Sequence, residues 1–367
     1  MFKLAIITLN YNGKKDTLEL LRSLRFLKKE NLEIKIIVVD NGSGDGSVKE
    51  FKDVDVLQTG ANLGYAGGFN KGIEYAQIWG ADYFLLINND CLINDSNLVD
   101  ELIKTAKDDI GLVSPKIYFA PGFEFQKNYK NTDLGKVIWY GGGKFDWDNI
   151  GNIHKGLDEV DNGHYDQVEE SEIFSGACVL IKKEVLEELG GLDEQYFLYF
   201  EDSEFAKRVR DGGFKIFYNG QVSIYHKVSR STGIGSEITD YYHTRNRLIF
   251  GMKYASLKTR FALIREAIWL LLFGRKAQRK GISDFYLRLK GQNPRMSIQP
   301  KPGMGQIEYP LKLSIGIVNY NTADLTKKLL ESIFNSQKPG MGMEVIVLDN
   351  GDTDPCEDKI KEFFPFI

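Results

Sequence analysis

Three short apolar runs, each stopped by Asn, Asp and Gly, constrain this chain more than any other feature. Leu4 to Leu9 ends at Asn10-Tyr11-Asn12-Gly13, Ile34 to Val39 ends at Asp40-Asn41-Gly42-Ser43, and Tyr83 to Ile87 ends at Asn88-Asn89-Asp90. Continuous runs this short, bounded by turn residues, read as buried strands. Between the first two, an amphipathic helix runs to about Lys29 with Leu18, Leu21, Leu24 and Leu27 along one face. Strands alternating with helices build an α/β fold, a mostly parallel open sheet flanked by helices. Ligands bind such sheets beyond the carboxyl ends of the strands, which is where these polar residues fall.

A third short strand, Val54 to Gln58, leads into Asn62-Leu63-Gly64-Tyr65-Ala66-Gly67-Gly68-Phe69-Asn70-Lys71-Gly72 and a helix from about Phe69 to Trp79. Glycines there would let backbone approach a ligand, although turn chemistry is the plainer reading. The spacing is not G-x-G-x-x-G, which argues against the usual dinucleotide loop. Alternate side chains of a strand share a face, so Asn88 and Asp90 are placed to present oxygens to one hard cation such as Mg²⁺ or Mn²⁺; a plain Asn/Asp turn is the simpler alternative. A helix over 98–106 and a strand near 111–114 follow, then an irregular stretch over 119–167 of the kind that forms hairpins and substrate loops. Glu172 to Ile181 reads as a strand with a small-residue notch at Ser175-Gly176-Ala177, and the next helix closes at Gly190-Gly191. Lys215 to Tyr225 alternates as a strand does and ends at His226, ahead of Arg230-Ser231-Thr232-Gly233.

In Tyr196-Phe197-Leu198-Tyr199-Phe200-Glu201-Asp202, two adjacent carboxylates follow five apolar or aromatic residues. Burying them without a partner is costly or forces a proton onto one acid, so the pair is expected to line a cleft or bind something. A helix N-terminus is the competing explanation, because orphan N–H groups and the helix dipole favour acids there.

With 367 residues, 43% hydrophobic, the chain can bury a large core. A net charge of −4 argues against a nucleic-acid partner. The charge is uneven, however: between Gly251 and Lys301 there are 12 Lys/Arg against Glu266 and Asp284. Tyr241 to Phe273 reads as helical, with an apolar body from Phe261 to Phe273 interrupted by Arg265-Glu266. That body is shorter than the about 20 residues a bilayer span needs. With Arg275, Lys276, Arg279 and Lys280 beyond it, the region suits peripheral contact with an anionic membrane through 253–301, or equally a helix packed on its own domain. Cys91, Cys178 and Cys356 form neither a disulfide framework nor a zinc pattern, which fits a reducing cytoplasm.

The Pro- and Gly-rich stretch 292–312 reads as a linker. Beyond it the chain starts again. Leu313 to Asn321 repeats Leu4 to Asn12, and Val345 to Gly351 repeats Ile36 to Gly42, both at an offset of 309 residues. The expected organisation is a main α/β domain over 1–250, a basic helical extension over 251–291, the linker, and a partial repeat over 313–367. Counterparts of Asp90, Asp202 and His226 would fall beyond residue 367, so one working site is expected. A fragment that small also needs packing support, from the first domain or from another chain in a homo-oligomer.

Taken in order, Asn10-Tyr11-Asn12, Asp40-Asn41-Gly42-Ser43, Asn62 through Gly72, Asn88-Asn89-Asp90, Ser175-Gly176-Ala177, Gly190-Gly191-Leu192-Asp193 with Glu201-Asp202, and His226 resemble the inverting family 2 glycosyltransferases of the GT-A fold, especially the bacterial rhamnosyltransferase branch. The resemblance covers about Leu4 to Gly291. It implies a nucleoside-diphosphate-sugar donor, UDP- or dTDP-linked (for example dTDP-rhamnose), and a glycan or lipid-linked acceptor. It further implies work in cell-surface polysaccharide synthesis, in the cytoplasm or at the inner face of the membrane. Asp40 would accept from the N3–H of uracil or thymine, with Thr8, Asn10 and Asn62 near the nucleoside. Gly64, Asn70, Asn88 and Asn89 would belong to the same donor site. Asp90 corresponds to the last acid of the family's D-x-D metal motif, with Asn88 in place of the first, and His226 would complete the Mn²⁺ or Mg²⁺ site. Arg230, Ser231 and Thr232 would close over the diphosphate.

A sugar hydroxyl is a weak nucleophile, and a carboxylate within hydrogen-bond reach takes its proton as attack develops at the anomeric carbon. Neighbouring helical residues point about 100° apart, so one acid of the pair does this work. Asp202 is the expected base, and Glu201 is expected to orient the acceptor or the loop. Two other classes compete. A glycoside hydrolase needs two carboxylates across a cleft but leaves Asp40 and Asp90 without purpose. A non-catalytic, carbohydrate- or nucleotide-binding remnant of a tandem transferase would keep the fold without the turnover.

Overall fold

The computed structural model describes residues 1–28, 31–124, 127, 129–228, 236–289, 309–319, 325–326, 328–329 and 341–349. The chain forms two compact units, Met1–Ile298 and Gln299–Ile367. The first opens with the expected alternation of β1 (Phe2–Asn10), α1 (Lys14–Ser23), β2 (Leu32–Asp40), β3 (Asp55–Gln58), α2 (Gly64–Trp79) and β4 (Tyr83–Ile87). Their strands pair in parallel in the order β3-β2-β1-β4. Next come β5 (Cys91–Ile93), α3 (Leu98–Thr105), β6 (Ile110–Phe119), β7 (Ile138–Tyr140), the hairpin of β8 (Gly143–Asp146) and β9 (Gly151–His154), and β10 (Val168–Glu170). The unit is completed by β11 (Cys178–Lys182), α4 (Lys183–Leu189), α5 (Glu201–Asp211), β12 (Lys215–His226), α6 (Glu237–Tyr254), α7 (Leu257–Phe273) and α8 (Lys276–Leu289). β11 lies antiparallel between β4 and β6, and β12 runs parallel to β6, so one open sheet carries the order β10-β12-β6-β11-β4-β1-β2-β3.

Side chains alternate along a strand, which divides the core in two. Leu4, Ile6, Val38, Leu85 and Ile87 pack with residues of α1, α3, α6 and α8. Ala5, Ile7, Ile37, Val39 and Leu86 pack with α2, α4 and α5 on the opposite face. The parallel register sets Asn10 beside Asp40, on the same face as Thr8 and Val38.

Four expectations change. α2 begins at Gly64 rather than Phe69, because the glycine run lies inside the helix and lets it approach the sheet; a Cβ on Gly72 would sit 2.4 Å from Ile7 Cγ2. The strand expected over 172–181 starts only at Cys178. The helix expected over 241–273 is two helices, broken where Ser256 caps α7 by accepting from the Thr259 N–H at 3.3 Å. The border expected at 250–251 falls within α6, and α8 is joined to α6 by the Tyr241 hydroxyl, which donates to Asp284 at 2.7 Å.

In the second unit, β13 (Tyr309–Asn319) and β14 (Met341–Asp349) pair in parallel with Asn319 opposite Asp349. That repeats the register of Asn10 and Asp40. Most of the stretch expected as a linker, 292–308, lies outside the described residues. No described helix is long and apolar enough to cross a membrane.

Candidate active site

The ends of β1 and β2 build the first part of the site. Asn10 Nδ2 donates to Asp40 Oδ1 and to Ser47 Oγ, both at 2.8 Å, while the Ser43 N–H donates to Asp40 Oδ2 at 3.1 Å. Asn10 Oδ1 accepts from Thr17 at 2.9 Å, and Thr17 in turn accepts from Asn89 Nδ2 at 3.0 Å. The Asn89 amide N–H is thereby tied to α1. Thr8 is fully buried and its hydroxyl has no partner among the described residues. Asn62 Oδ1 accepts from the Gly64 N–H at 2.9 Å and from Asn41 Nδ2 at 3.2 Å. Asn41, which the sequence reading passed over, holds this loop: its amide also donates to the Gly64 carbonyl and accepts from the Leu63 N–H.

Past Ile87 the chain turns. The Cys91 N–H donates to the Asn88 carbonyl at 3.1 Å, so 88–90 is not extended strand and the alternation argument for Asn88 and Asp90 fails. Asp90 meets His226 by another route. β5 pairs antiparallel with β12 and places Cys91 opposite His226, which brings His226 Nε2 to 3.2 Å from Asp90 Oδ1. Both residues are buried, and His226 Nδ1 has no partner among the described residues. Cys91 Sγ belongs to the same cluster but donates to the Ala177 carbonyl at 3.5 Å. Burial, and then the Asp90 charge, push the thiol well above its usual range, which keeps it protonated. A carboxylate and an imidazole at this spacing could supply two ligands to a divalent cation. Lys227 anchors this strand end to α1 through ion pairs with Asp16 at 2.6 Å and with Glu19. Arg230, Ser231 and Thr232 lie outside the described residues.

The acidic pair heads α5 behind a strained turn. Phe197, Tyr199 and Phe200 all have left-handed backbones, with φ of 60°, 68° and 72°. Non-glycine residues persist there only where their surroundings over-determine them. Here buried Asn246 of α6 sets its Nδ2 2.8 Å from each of the Tyr196, Leu198 and Tyr199 carbonyls. Arg245 donates to the Gln195 carbonyl at 3.1 Å, and Phe197 stacks on Tyr242 with ring centroids 5.2 Å apart. From the other side the Tyr65 N–H donates to the Phe197 carbonyl at 2.6 Å.

Two residues expected at the donor site also support this turn. Gly64 has φ +77°, and a Cβ there would lie 2.3 Å from the Phe197 carbonyl oxygen. Asn70 spends its amide on Leu192, donating to the carbonyl and accepting from the N–H, both at 2.9 Å. Both residues hold segment 192–200, because their free space and polar atoms are used up there. Asn246→Ala removes the donor from three carbonyls, and we expect kcat to fall about 10–100-fold through misplacement of the acids. Nucleotide affinity is expected to stay within about twofold. Equal losses in kcat and nucleotide binding would show general unfolding instead.

The two acids differ. Glu201 is 5% exposed, and its Oε2 has no partner among the described residues. Burial, and then the Asp202 charge, raise its carboxyl well above the ordinary range. Burial also raises Asp202, but the Ser203 N–H and hydroxyl bond its Oδ1 at 2.7 and 3.2 Å and favour its charged form. The neutral form is thus favoured at Glu201, while the Ser203 bonds favour the charged form at Asp202. Tyr65, donating to the Gly176 carbonyl, has its own ionisation pushed up by burial and then by these two acids.

A stability effect follows from the Glu201 shift. The neutral carboxyl contributes fully below its unfolded pKa of about 4.3, and that contribution is lost as pH rises toward the raised folded value, at about 1.4 kcal/mol per unit. Glu201→Gln should remove this slope. The fall in melting temperature from pH 5 to pH 8 is expected to shrink in the variant; profiles that run parallel would contradict a buried, neutral Glu201.

An open, mostly parallel α/β sheet flanked by helices, with acids gathered past the ends of β2 and β4 and at the head of α5, is the architecture of the GT-A fold. The chain belongs to glycosyl transferase family 2, whose family model matches residues 5–190 and 314–367. It is 25% identical to the low-salt glycan biosynthesis hexosyltransferase Agl10 of Haloferax volcanii, over 67% of this chain and 74% of the relative. It is also 25% identical to the N-acetylglucosaminyl-diphospho-decaprenol L-rhamnosyltransferase of Mycobacterium tuberculosis, over 54% of this chain and 68% of that one. Its fold is like that of GalNAc-T7, solved with UDP, GalNAc and Mn²⁺, with a TM-score of 0.51 at 15% identity over 74% of this chain and 57% of that chain.

Proposed function

We propose that this chain is an inverting transferase that moves a hexosyl or rhamnosyl residue from a UDP- or dTDP-linked sugar to a hydroxyl of a glycan or lipid-linked acceptor in cell-surface polysaccharide synthesis. The observation that carries this reading is the placement of the acidic pair: Asp202, bonded by the Ser203 N–H and hydroxyl, and buried Glu201 stand at the head of α5 behind a turn that Asn246 of α6 holds. Asp202 takes the proton of the acceptor hydroxyl as the hydroxyl oxygen attacks the anomeric carbon and the nucleoside diphosphate leaves, and Glu201 orients the acceptor by a hydrogen bond. Asp40 accepts from the base of the nucleoside, with Asn10 and Ser43 fixing its carboxylate. Asp90 and His226 would hold Mn²⁺ or Mg²⁺. Such an ion, when bound, offsets the charge of the departing nucleoside diphosphate.

The hexosyltransferase and rhamnosyltransferase relatives support the sugar class, and the rhamnosyltransferase's diphospho-decaprenol acceptor supports a lipid-linked one. We read 313–367 as the opening of a second copy, because the family match and the β13–β14 register both repeat there. Isothermal titration of UDP, dTDP and GDP with and without Mn²⁺, followed by a nucleotide-release screen of the matching sugars, tests the assignment. Metal-dependent binding of a uridine or thymidine diphosphate is expected, lost in Asp40→Ala and kept in Asp349→Ala. Sugar hydrolysis without nucleotide binding would point to a hydrolase, and binding without turnover to a non-catalytic remnant.

A further inference from the structure

α7 is apolar on two opposite faces. Thr259, Leu263 and Ala267 face inward and are buried, with Leu270 packed against the same core. The outward face carries Leu257, Phe261, Ile268, Trp269, Leu272 and Phe273, of which Phe261 is 71% exposed, Trp269 57%, Leu272 66% and Phe273 70%. Positions 257, 261, 268 and 272 recur at spacings of four, seven and four, so they form one stripe rather than scattered residues. A helix with two apolar faces ordinarily buries both, yet no described residue covers this stripe. Contiguous apolar surface of this kind marks an interaction site.

The charges around the stripe identify the occupant. Lys258 and Arg265 lie on α7 itself, and Lys276 and Arg279 begin α8; none has a carboxylate within ion-pair distance among the described residues. Three acids of this region are already engaged. Glu266 pairs with Arg247 at 2.6 Å, Asp240 with Arg275 at 2.6 Å, and Asp284 with Lys280 at 3.4 Å. The outer surface therefore combines exposed aromatics with unneutralised cations. A second copy of this face would bring cation against cation, whereas an anionic lipid surface satisfies both features: Trp and Phe enter the headgroup boundary while Lys and Arg meet phosphate. At 17 residues, α7 lies along such a surface and does not cross it.

We propose that the outer face of α7, with the start of α8, is a docking surface for an anionic lipid bilayer, which holds the transferase against the membrane. The proposal deepens the functional reading by naming where the enzyme meets a lipid-linked acceptor, but its test does not depend on turnover. The full chain is floated with vesicles of phosphatidylcholine alone and with about 30% phosphatidylglycerol, at low and high salt. The parent is expected to float with the anionic vesicles and to release in salt. Each of Lys258→Glu, Arg265→Glu and Lys276→Glu is expected to cut binding at least about fivefold. The double variant Trp269→Glu with Phe273→Glu is expected to cut it about tenfold or more. Melting curves verify that these exposed substitutions leave the fold intact. No flotation, equal flotation with neutral vesicles, or variants that bind like the parent would overturn the proposal. So would a salt-insensitive dimer in solution that the Trp269 and Phe273 substitutions abolish, since it would assign the stripe to a second copy. Nucleotide binding, measured separately, shows whether the transferase reading has failed or only the docking surface.

Discussion

Asp202→Asn is expected to lower sugar transfer by about 10²–10⁴-fold, the span of a lost general base, while nucleotide affinity stays near the parent value. The substitution is nearly isosteric. Its side-chain oxygen still accepts from the Ser203 N–H, now 2.7 Å from Asp202 Oδ1, so the α5 terminus keeps its geometry and loses only its basicity. Glu201 is not expected to take over, because α5 points it elsewhere and its burial, which the substitution leaves in place, still disfavours the charged carboxylate. The pH profile sharpens the test. Transfer needs unprotonated Asp202, so the rate falls as pH drops through its pKa, and burial places that acidic limb above the ordinary carboxylate value. The variant should lack the limb. Full turnover in Asp202→Asn, or an unchanged acidic limb, would remove Asp202 from the chemistry.

What the sequence disclosed depended on how local the cause was. The strand ends at Asn10, Asp40 and Asp90 were legible because a short apolar run and its polar stop are adjacent in the chain. Asn10 and Asp40 were also legible as neighbours once strand and helix alternated, since a parallel sheet aligns successive carboxyl ends. The acidic pair announced itself by its cost in apolar company. The structural contacts of Gly64 and Asn70 are not legible in the sequence for the opposite reason. Their partners, Phe197 and Leu192, lie more than a hundred residues away, and a glycine that admits a carbonyl looks no different in sequence from one that admits a ligand. Asn246 was passed over because it bonds backbone carbonyls 47 to 50 residues earlier, and a carbonyl leaves no residue-type signature. The Asn88–Asp90 argument failed because β5 leaves the line of β4 to pair with β12, which a run of only three strand residues does not reveal.

That same departure toward β12 makes Asp90 the second decisive position. Asp90→Ala is expected to weaken Mn²⁺-dependent nucleotide binding by about 100-fold or more and to lower transfer at least as much, since a bound cation supplies several kcal/mol toward the charge of the leaving diphosphate. Two explanations of the Asp90–His226 contact separate cleanly here. If the pair, at 3.2 Å, serves only to fasten β5 to β12, the substitution lowers melting temperature and leaves the metal dependence of nucleotide affinity untouched. If the pair holds a cation, nucleotide affinity responds to Mn²⁺ in the parent and becomes indifferent to it in the variant, whatever happens to stability. The backbone ladder between Leu92 and Tyr225, and Lys227 bound to Asp16 and Glu19, persist without the Asp90 side chain, so the strand end keeps its place and a lost metal response is not an unfolding artefact. Titration of Mn²⁺ and of the nucleoside diphosphate, each alone and together, reads the distinction directly. An equal response to Mn²⁺ in the parent and in Asp90→Ala would leave the contact a structural one.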